Sequence, residues 1–304
     1  MLKIRLLGTA KPGGWYDDRV TFDPTIPQNV CDGMLCWGPC TEELLRYRGP
    51  RAWYYAEPRR FSLSRALHFH GALGKLGEHE FLHHSNPNTK FRIPCVTHYG
   101  PITLAAPHRS KHGMVAVVSN FGGRFWYFKA EARLRDRFIL HESVDLYGNL
   151  NSWKRFRSSP WSRPRVPRNY VGELPSNWYL KAHVDALAKY KIAVCLENSV
   201  EPNYFTEKFV NAARAGCVPV YHAHPTVRDS VLRGAKWIDP ADSSFDVRAT
   251  LRAASECESD AIVEQNYEWL KGEAVSETDG YRIWSRLAEL FLERCGEDKI
   301  PLSD

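Results

Sequence analysis

Residues 190–220, YKIAVCLENSVEPNYFTEKFVNAARAGCVPV, hold the densest set of groups fit for chemistry in this chain. An apolar, strand-like run at 191–196 ends in Glu197-Asn198-Ser199. Tyr204 follows in a short loop, and Thr206-Glu207-Lys208 opens a helix predicted over 206–215, with Thr206 as its N-cap and Gly216 as its terminator. Ligands of open α/β sheets bind beyond the carboxyl ends of the strands. A helix N-terminus offers unpaired N–H groups to an anion, and Lys208 adds a full positive charge on the first turn. Glu207 repels phosphate, yet its carboxylate can accept two hydrogen bonds from a vicinal diol such as ribose. An acid–base pair in this place suits a nucleotide diphosphate, with Lys208 on the phosphates and Glu207 on the sugar. The plain alternative is a capped helix with a charged first turn.

The elements that must position these groups alternate between strands and helices. Residues 2–7 read as a first strand, followed by a turn with Gly8, Gly13 and Gly14. Residues 51–57, RAWYYAE, are aromatic and strand-like and end at Pro58. MVAVVS at 114–119 is the continuous apolar run of a parallel strand buried on both faces. Gly122 and Gly123 follow, then a helical stretch to about residue 140 and a short strand at 144–147 closed by Gly148. The next strand falls at 217–221, and residues 262–294 show apolar three-to-four spacing. A fresh strand–helix–strand unit thus begins at 114. The expected division is 1–113, 114–262 and a helical segment 263–304 that packs back on the first domain.

The 304 residues carry 41 Lys+Arg against 35 Asp+Glu, a net charge of +6, with 43% hydrophobic residues and 10 Trp. These globular values exclude a disordered or fibrous chain. A modest positive charge fits an anionic small ligand better than a nucleic-acid track, so no nucleic acid is expected. No apolar run of about 18 residues exists, so no membrane span is expected. MLKIRLLG at the start lacks the long apolar core of a signal peptide. Free thiols are therefore expected for the eight cysteines, since Cys31, Cys36 and Cys40 form no Cys-x-x-Cys pair. Eight of the twelve histidines fall at 68–112, including His68, His70, His79 and His83, and ordinary surface or core roles are the simplest account of them. The basic run from Lys154 to Arg168 reads as solvated surface. Gly-x-Ser-x-Gly, P-loop, His-Glu-x-x-His, Gly-x-Gly-x-x-Gly and Asp-x-Asp motifs are all missing.

The pattern ENSxxxxYxTEK at 197–208, followed by AxAGxVPV at 213–220, resembles the donor-binding signature of the α1,3-fucosyltransferases, glycosyltransferase family 10. VAVVSN at 115–120, a helix and then VDLYG at 144–148 resemble the family's first donor-domain strand–helix–strand. WYYAEP at 53–58 resembles the aromatic strand that ends in the glutamate taken as general base. The resemblance implies an α/β fold of GT-B type, two Rossmann-like domains facing a cleft. The N-terminal domain would bind an oligosaccharide acceptor and the C-terminal one GDP-fucose. It implies that Lys208 neutralises the diphosphate and Glu207 holds the ribose. Tyr204, Asn198 and Glu197 would complete the donor pocket, and Ser119 with Asn120 would line its edge. Glu57 would deprotonate the acceptor hydroxyl in a single inverting displacement, α1,3 to GlcNAc or Glc, needing no metal or other cofactor.

Family members place an arginine eight residues after the serine of the Ser-Asn pair, where this chain has Tyr127. Arg124 or Lys129 is the preferred substitute, with Arg133 nearby. Ala193 stands where an aromatic residue is usual, and Tyr221-His222-Ala223-His224-Pro225 replaces a glycine-containing turn. These departures leave open the same scaffold with a different nucleotide sugar, or a non-catalytic glycan- or nucleotide-binding protein. Animal and plant relatives are anchored in the secretory pathway. The expected location here is a bacterial cytoplasm, at most peripheral to the inner membrane.

Overall fold

The computed structural model describes residues 1–8, 16–56, 70–106, 111–118, 130–148, 166–174 and 181–297. The chain divides into two compact units, 1–96 with 277–304, and 97–276. The boundary lies at 96/97 rather than near 113, because the segment before the second unit's first strand is fastened to that unit. Ala105 N–H donates to the Arg214 carbonyl at 2.9 Å, and Arg214 Nε donates to the Thr103 carbonyl at 3.2 Å.

The first unit is built on a six-stranded sheet of order β2-β3-β1-β4-β5-β6. The strands are β1 (Leu2–Gly8), β2 (Tyr16–Asp17), β3 (Val20–Asp23), β4 (Gly33–Trp37), β5 (Arg51–Tyr54) and β6 (Phe81–Leu82). Only the β2–β3 pairing is antiparallel. Trp53 and Tyr54 of β5 are fully buried. Buried aromatics of this kind need partners for their polar ends. The Trp53 indole N–H donates to the Gly38 carbonyl at 2.6 Å, and the Tyr54 hydroxyl donates to the Pro94 carbonyl at 2.7 Å.

One face of this sheet is closed by the Gly280–Glu297 helix. Its Ile283, Trp284, Leu287, Ala288 and Phe291 recur at helical spacing and join a core with Ile4, Leu6, Val20, Phe22 and Leu35. The helical stretch expected over 262–294 is broken into Ser259–Leu270, Glu273–Ser276 and Gly280–Glu297. Gly272 ends the first piece. Asp279 starts the last, accepting the Tyr281 N–H on its carboxylate at 3.0 Å. The first two pieces lie in the second unit and the third in the first.

The second unit has a five-stranded, wholly parallel sheet of order β11-β10-β7-β8-β9. Its strands are β7 (His112–Val117), β8 (Val144–Tyr147), β9 (Tyr170–Gly172), β10 (Tyr190–Val194) and β11 (Val218–Val220). Both faces are covered, as the continuous apolar runs require. Ala193 and Cys195 pack with Phe209, Val210 and Trp269 on one face. Ile192, Val194 and Leu196 pack with Phe138, Val247 and Leu251 on the other. All eight cysteines are free thiols. Among the described residues no helix is long and apolar enough to cross a membrane.

Candidate functional site

The chain leaves β10 as Cys195-Leu196-Glu197-Asn198, and side-chain alternation continues past the strand end. Glu197 turns to the face that carries the Glu207–Arg214 helix, and Asn198 to the face that carries the Ala130–Ile139 helix. Glu197 is only 3% exposed. Its Oε1 accepts from the Thr206 N–H at 3.1 Å, the Thr206 hydroxyl at 2.6 Å and the Tyr221 hydroxyl at 3.2 Å. Its Oε2 accepts from Lys208 Nζ at 2.9 Å. A carboxylate offers about four acceptor positions, two on each oxygen, so Oε1 is fully engaged while Oε2 takes one bond among the described residues. Glu197 acts as a clasp between the end of β10 and the start of the helix.

Lys208 Nζ also donates to the Thr206 hydroxyl at 2.9 Å and stands 3.7 Å from Glu207 Oε1. Burial works to lower its pKa, but Glu197 and Glu207 outweigh it and raise the value above that of an ordinary lysine. The ammonium is charged throughout the physiological range. Its side chain keeps 21% exposure. Two of its three N–H donors are spent within the clasp, so the third remains for an anion among the described residues.

Thr206 occupies the N-cap with extended backbone, φ −123° and ψ −178°, but its hydroxyl makes no capping bond because it serves Glu197 and Lys208. Among the described residues the first-turn N–H groups thus have no side-chain cap from Thr206. The loop that brings the chain to this helix turns at Asn203, φ 58°, a left-handed conformation that asparagine tolerates. Asn203 N–H is fixed by the Thr226 hydroxyl at 2.8 Å. At the far end, Gly216 has φ +64° and the helix closes through Cys217 N–H to the Ala212 carbonyl at 3.0 Å.

On the other face of the sheet, Arg135 donates through Nη1 to Asn198 Oδ1 and through Nη2 to Asp136 Oδ1 at 3.2 Å. It is 3% exposed. Burial depresses its pKa, while Asp136, Glu197 and Tyr204 favour its charge. Arg135 was not among the arginines singled out from sequence. The signal was there in the helix period, since Phe138 and Ile139, three and four residues on, are buried on its face. Arg133 is instead on the exposed side.

The structure therefore brings Glu197, Asn198, Glu207 and Lys208 to one sheet edge, with Arg135, Thr206 and Tyr221 added. Tyr204 lies buried close enough to Arg135 to favour its charge. Glu57, Ser119, Asn120, Arg124 and Lys129 lie outside the described residues, as do Tyr127, His68 and most of the basic run. Of the clustered histidines, His83 and His84 are buried and His70 and His79 exposed. Among the described residues no three His, Cys, Asp or Glu side chains gather as a metal site.

Residues 108–244 match the model of the glycosyltransferase family 10 (fucosyltransferase) C-terminal domain. The alpha-(1,3)-fucosyltransferase B of Drosophila melanogaster is 34% identical over 89 residues, 29% of this chain and 18% of that protein. GDP-fucose protein O-fucosyltransferase 3 of Rattus norvegicus is 32% identical over 102 residues, 33% of this chain and 21% of that one. The chain thus covers about a fifth of the length of these relatives. A crystal structure of an alpha1,3-fucosyltransferase superposes with a TM-score of 0.52 at 13% identity, over 96% of this chain and 90% of that one. Sucrose-phosphate synthase from Thermosynechococcus elongatus gives 0.52 at 10% identity, over 88% and 74%. These two likenesses concern fold, and the two parallel-sheet α/β units are those of the GT-B glycosyltransferases. With Glu197, Thr206 and Lys208 built into one clasp at the carboxyl edge of β10, residues 108–244 are similar to the C-terminal domain of glycosyltransferase family 10, the fucosyltransferases.

Proposed function

We propose that this chain transfers fucose from GDP-fucose to a hydroxyl of an oligosaccharide acceptor, α1,3 to GlcNAc or Glc, with inversion at the anomeric carbon. One observation carries the reading. The Glu197–Thr206–Lys208 clasp fixes a permanent cation at an uncapped helix N-terminus, on the sheet edge where nucleotides bind. The free N–H of Lys208 and the first-turn N–H groups meet the diphosphate, the buried charge of Arg135 supports them from behind Asn198, and Glu207 accepts from the ribose hydroxyls. The acceptor oxygen attacks the anomeric carbon, its proton passes to Glu57, and the bond to the β-phosphate oxygen breaks to release GDP. Preorganised cations stabilise the charge that grows on that oxygen, so no metal is required. A positioned base contributes about 10²–10⁴-fold. The rat relative's name gives one specific reason for a second acceptor class, a protein hydroxyl.

The test is mass spectrometry of an oligosaccharide array and a set of Ser/Thr peptides, each incubated with the protein and GDP-fucose. One added fucose and equimolar GDP are expected, with no loss of rate in EDTA. Lys208→Ala should lose donor binding. Glu57→Gln should keep donor binding and lose turnover. Transfer from a UDP-sugar in place of GDP-fucose would establish the different-donor alternative, and full activity in Lys208→Ala would remove the assignment.

A further inference from the structure

The same sheet edge carries a second group of side chains, at the end of β11, that the transfer reaction above does not use. Val220 pairs in parallel with Ile238, so Tyr221-His222 and Asp239-Pro240 leave the sheet side by side. His222 Nδ1 lies 2.8 Å from Asp239 Oδ1. The same carboxylate accepts from the Ala241 N–H at 2.9 Å and from Arg228 Nη2. Asp239 is buried, and these partners keep it ionised. An ionised carboxylate only accepts hydrogen bonds, so Nδ1 carries a hydrogen, and Nε2 is an acceptor in the neutral form of the ring. Nε2 has no partner among the described residues, and the His222 side chain is 21% exposed.

Phe245 stands edge-on to that imidazole, with centroids 5.0 Å apart and planes at 89°. It is presented by a turn in which two consecutive non-glycine residues, Ser244 (φ 49°) and Phe245 (φ 60°), are left-handed. Each costs on the order of 1 kcal/mol, and such strain gathers where a binding site needs a side chain aimed. An outward imidazole acceptor with a phenyl ring beside it offers what a nucleobase requires, a partner for its edge and an apolar surface for its face. Tyr221, whose hydroxyl bonds Glu197, joins this pair to the Lys208 clasp through one peptide.

We propose that His222, oriented by Asp239, and Phe245 form the base-recognition half of the donor site. His222 Nε2 accepts a hydrogen bond from a ring N–H of the base, and Phe245 packs against it. Guanine (N1–H) and uracil (N3–H) have such a donor, whereas adenine and cytosine offer only an exocyclic amine, set further out on the base edge, so the pair favours guanine or uracil nucleotides. A site that accepts from its ligand rejects one that leaves the acceptor unpaired. The inference rests on Lys208 being the diphosphate ligand.

Titration calorimetry of the full chain with GDP, UDP, ADP, CDP and inorganic pyrophosphate tests it. The wild type should bind GDP or UDP about ten-fold more tightly than ADP and CDP, the worth of one good hydrogen bond. His222→Ala should level the four nucleotides and leave pyrophosphate affinity unchanged. His222→Gln, whose amide oxygen still accepts, should keep the preference, and Phe245→Leu should weaken all four nucleotides but not pyrophosphate. An unchanged preference in His222→Ala, or an equal loss of pyrophosphate, overturns the proposal. Wild-type protein that binds none of the nucleotides overturns both this and the diphosphate reading. Normal nucleotide binding by Lys208→Ala overturns the diphosphate reading alone, and the His222 series still decides the base.

Discussion

Charge at the site depends on single side chains that are not all the obvious ones. The ENS and TEK residues were legible because their types and spacing are unusual, but their division of labour was not. The resemblance makes Glu197 a donor contact, and the geometry adds a structural role, with its carboxylate accepting from Thr206, Tyr221 and Lys208. Glu197→Gln should therefore act through Lys208. We expect a loss of about 2 kcal/mol in stability and a roughly ten-fold weaker GDP affinity, with the overall fold retained. Calorimetry of the variant checks both. Because the folded pKa of Lys208 is raised, the clasp's contribution is complete below the ordinary lysine value of 10.5 and is lost only as pH climbs through the folded value. Asp239 behaves in the opposite sense. Burial alone would raise its pKa, but His222, the Ala241 N–H and Arg228 together hold it below the ordinary 3.8. Its contribution is present above that value and lost as pH falls through the lowered one. Asp239→Asn should cost about 3 kcal/mol at pH 7 and flatten the acid limb of the Tm-against-pH curve below about pH 4. An acid limb as steep as the wild type's would show that Asp239 does not drive it.

At the scale of elements, the continuous apolar runs and glycine stops of the second unit could be read directly. Strands β8 and β11 and the Glu207–Arg214 helix fall within a residue or two of their expected places. The long C-terminal pattern misled because apolar three-to-four spacing persists across a break. Two helices of one period can serve two different cores, and only Gly272 and Asp279-Gly280 mark the change. Arg135 was missed for a related reason. A charged residue among Arg133 and Arg137 looks like surface until the helix face is drawn through Phe138 and Ile139. Gly216 shows how tightly the helix that carries Lys208 is ended. Its φ of +64° disfavours any other residue, and a Cβ there would meet the Tyr267 hydroxyl and come within 2.8 Å of Lys111 Nζ. That ammonium caps the helix, donating to the Ala215 carbonyl at 2.8 Å and to that of Gly216. Gly216→Ala should lower stability by about 2–3 kcal/mol, from backbone strain and displacement of this cap. Adding Tyr267→Phe removes the hydroxyl collision and should restore part of the loss in thermal unfolding. No recovery would place the whole cost in the backbone and the lysine.

Two units, each with its own sheet and core, make the molecule a poor candidate for single-step unfolding. The Gly280–Glu297 helix matters most here, because the last segment of the chain completes the first unit. Trp284 is 4% exposed, stacks on Trp37 with centroids 4.7 Å apart and meets Phe22 at 5.1 Å. Trp284→Ala should cost the first unit about 3–5 kcal/mol. The proposed donor groups belong to the second unit, so GDP should stabilise that unit instead, by about 2.7 kcal/mol at a hundred times its Kd. Differential scanning calorimetry can separate the two effects. We expect two transitions, the substitution lowering one and GDP raising the other, by several degrees each for units of this size. A variant in which GDP still lifts its transition by the wild-type amount shows the donor site standing on the second core alone. Movement of both transitions together, under either change, would mean that the two cores unfold as one and that the terminal helix supports the donor site as well as the first sheet.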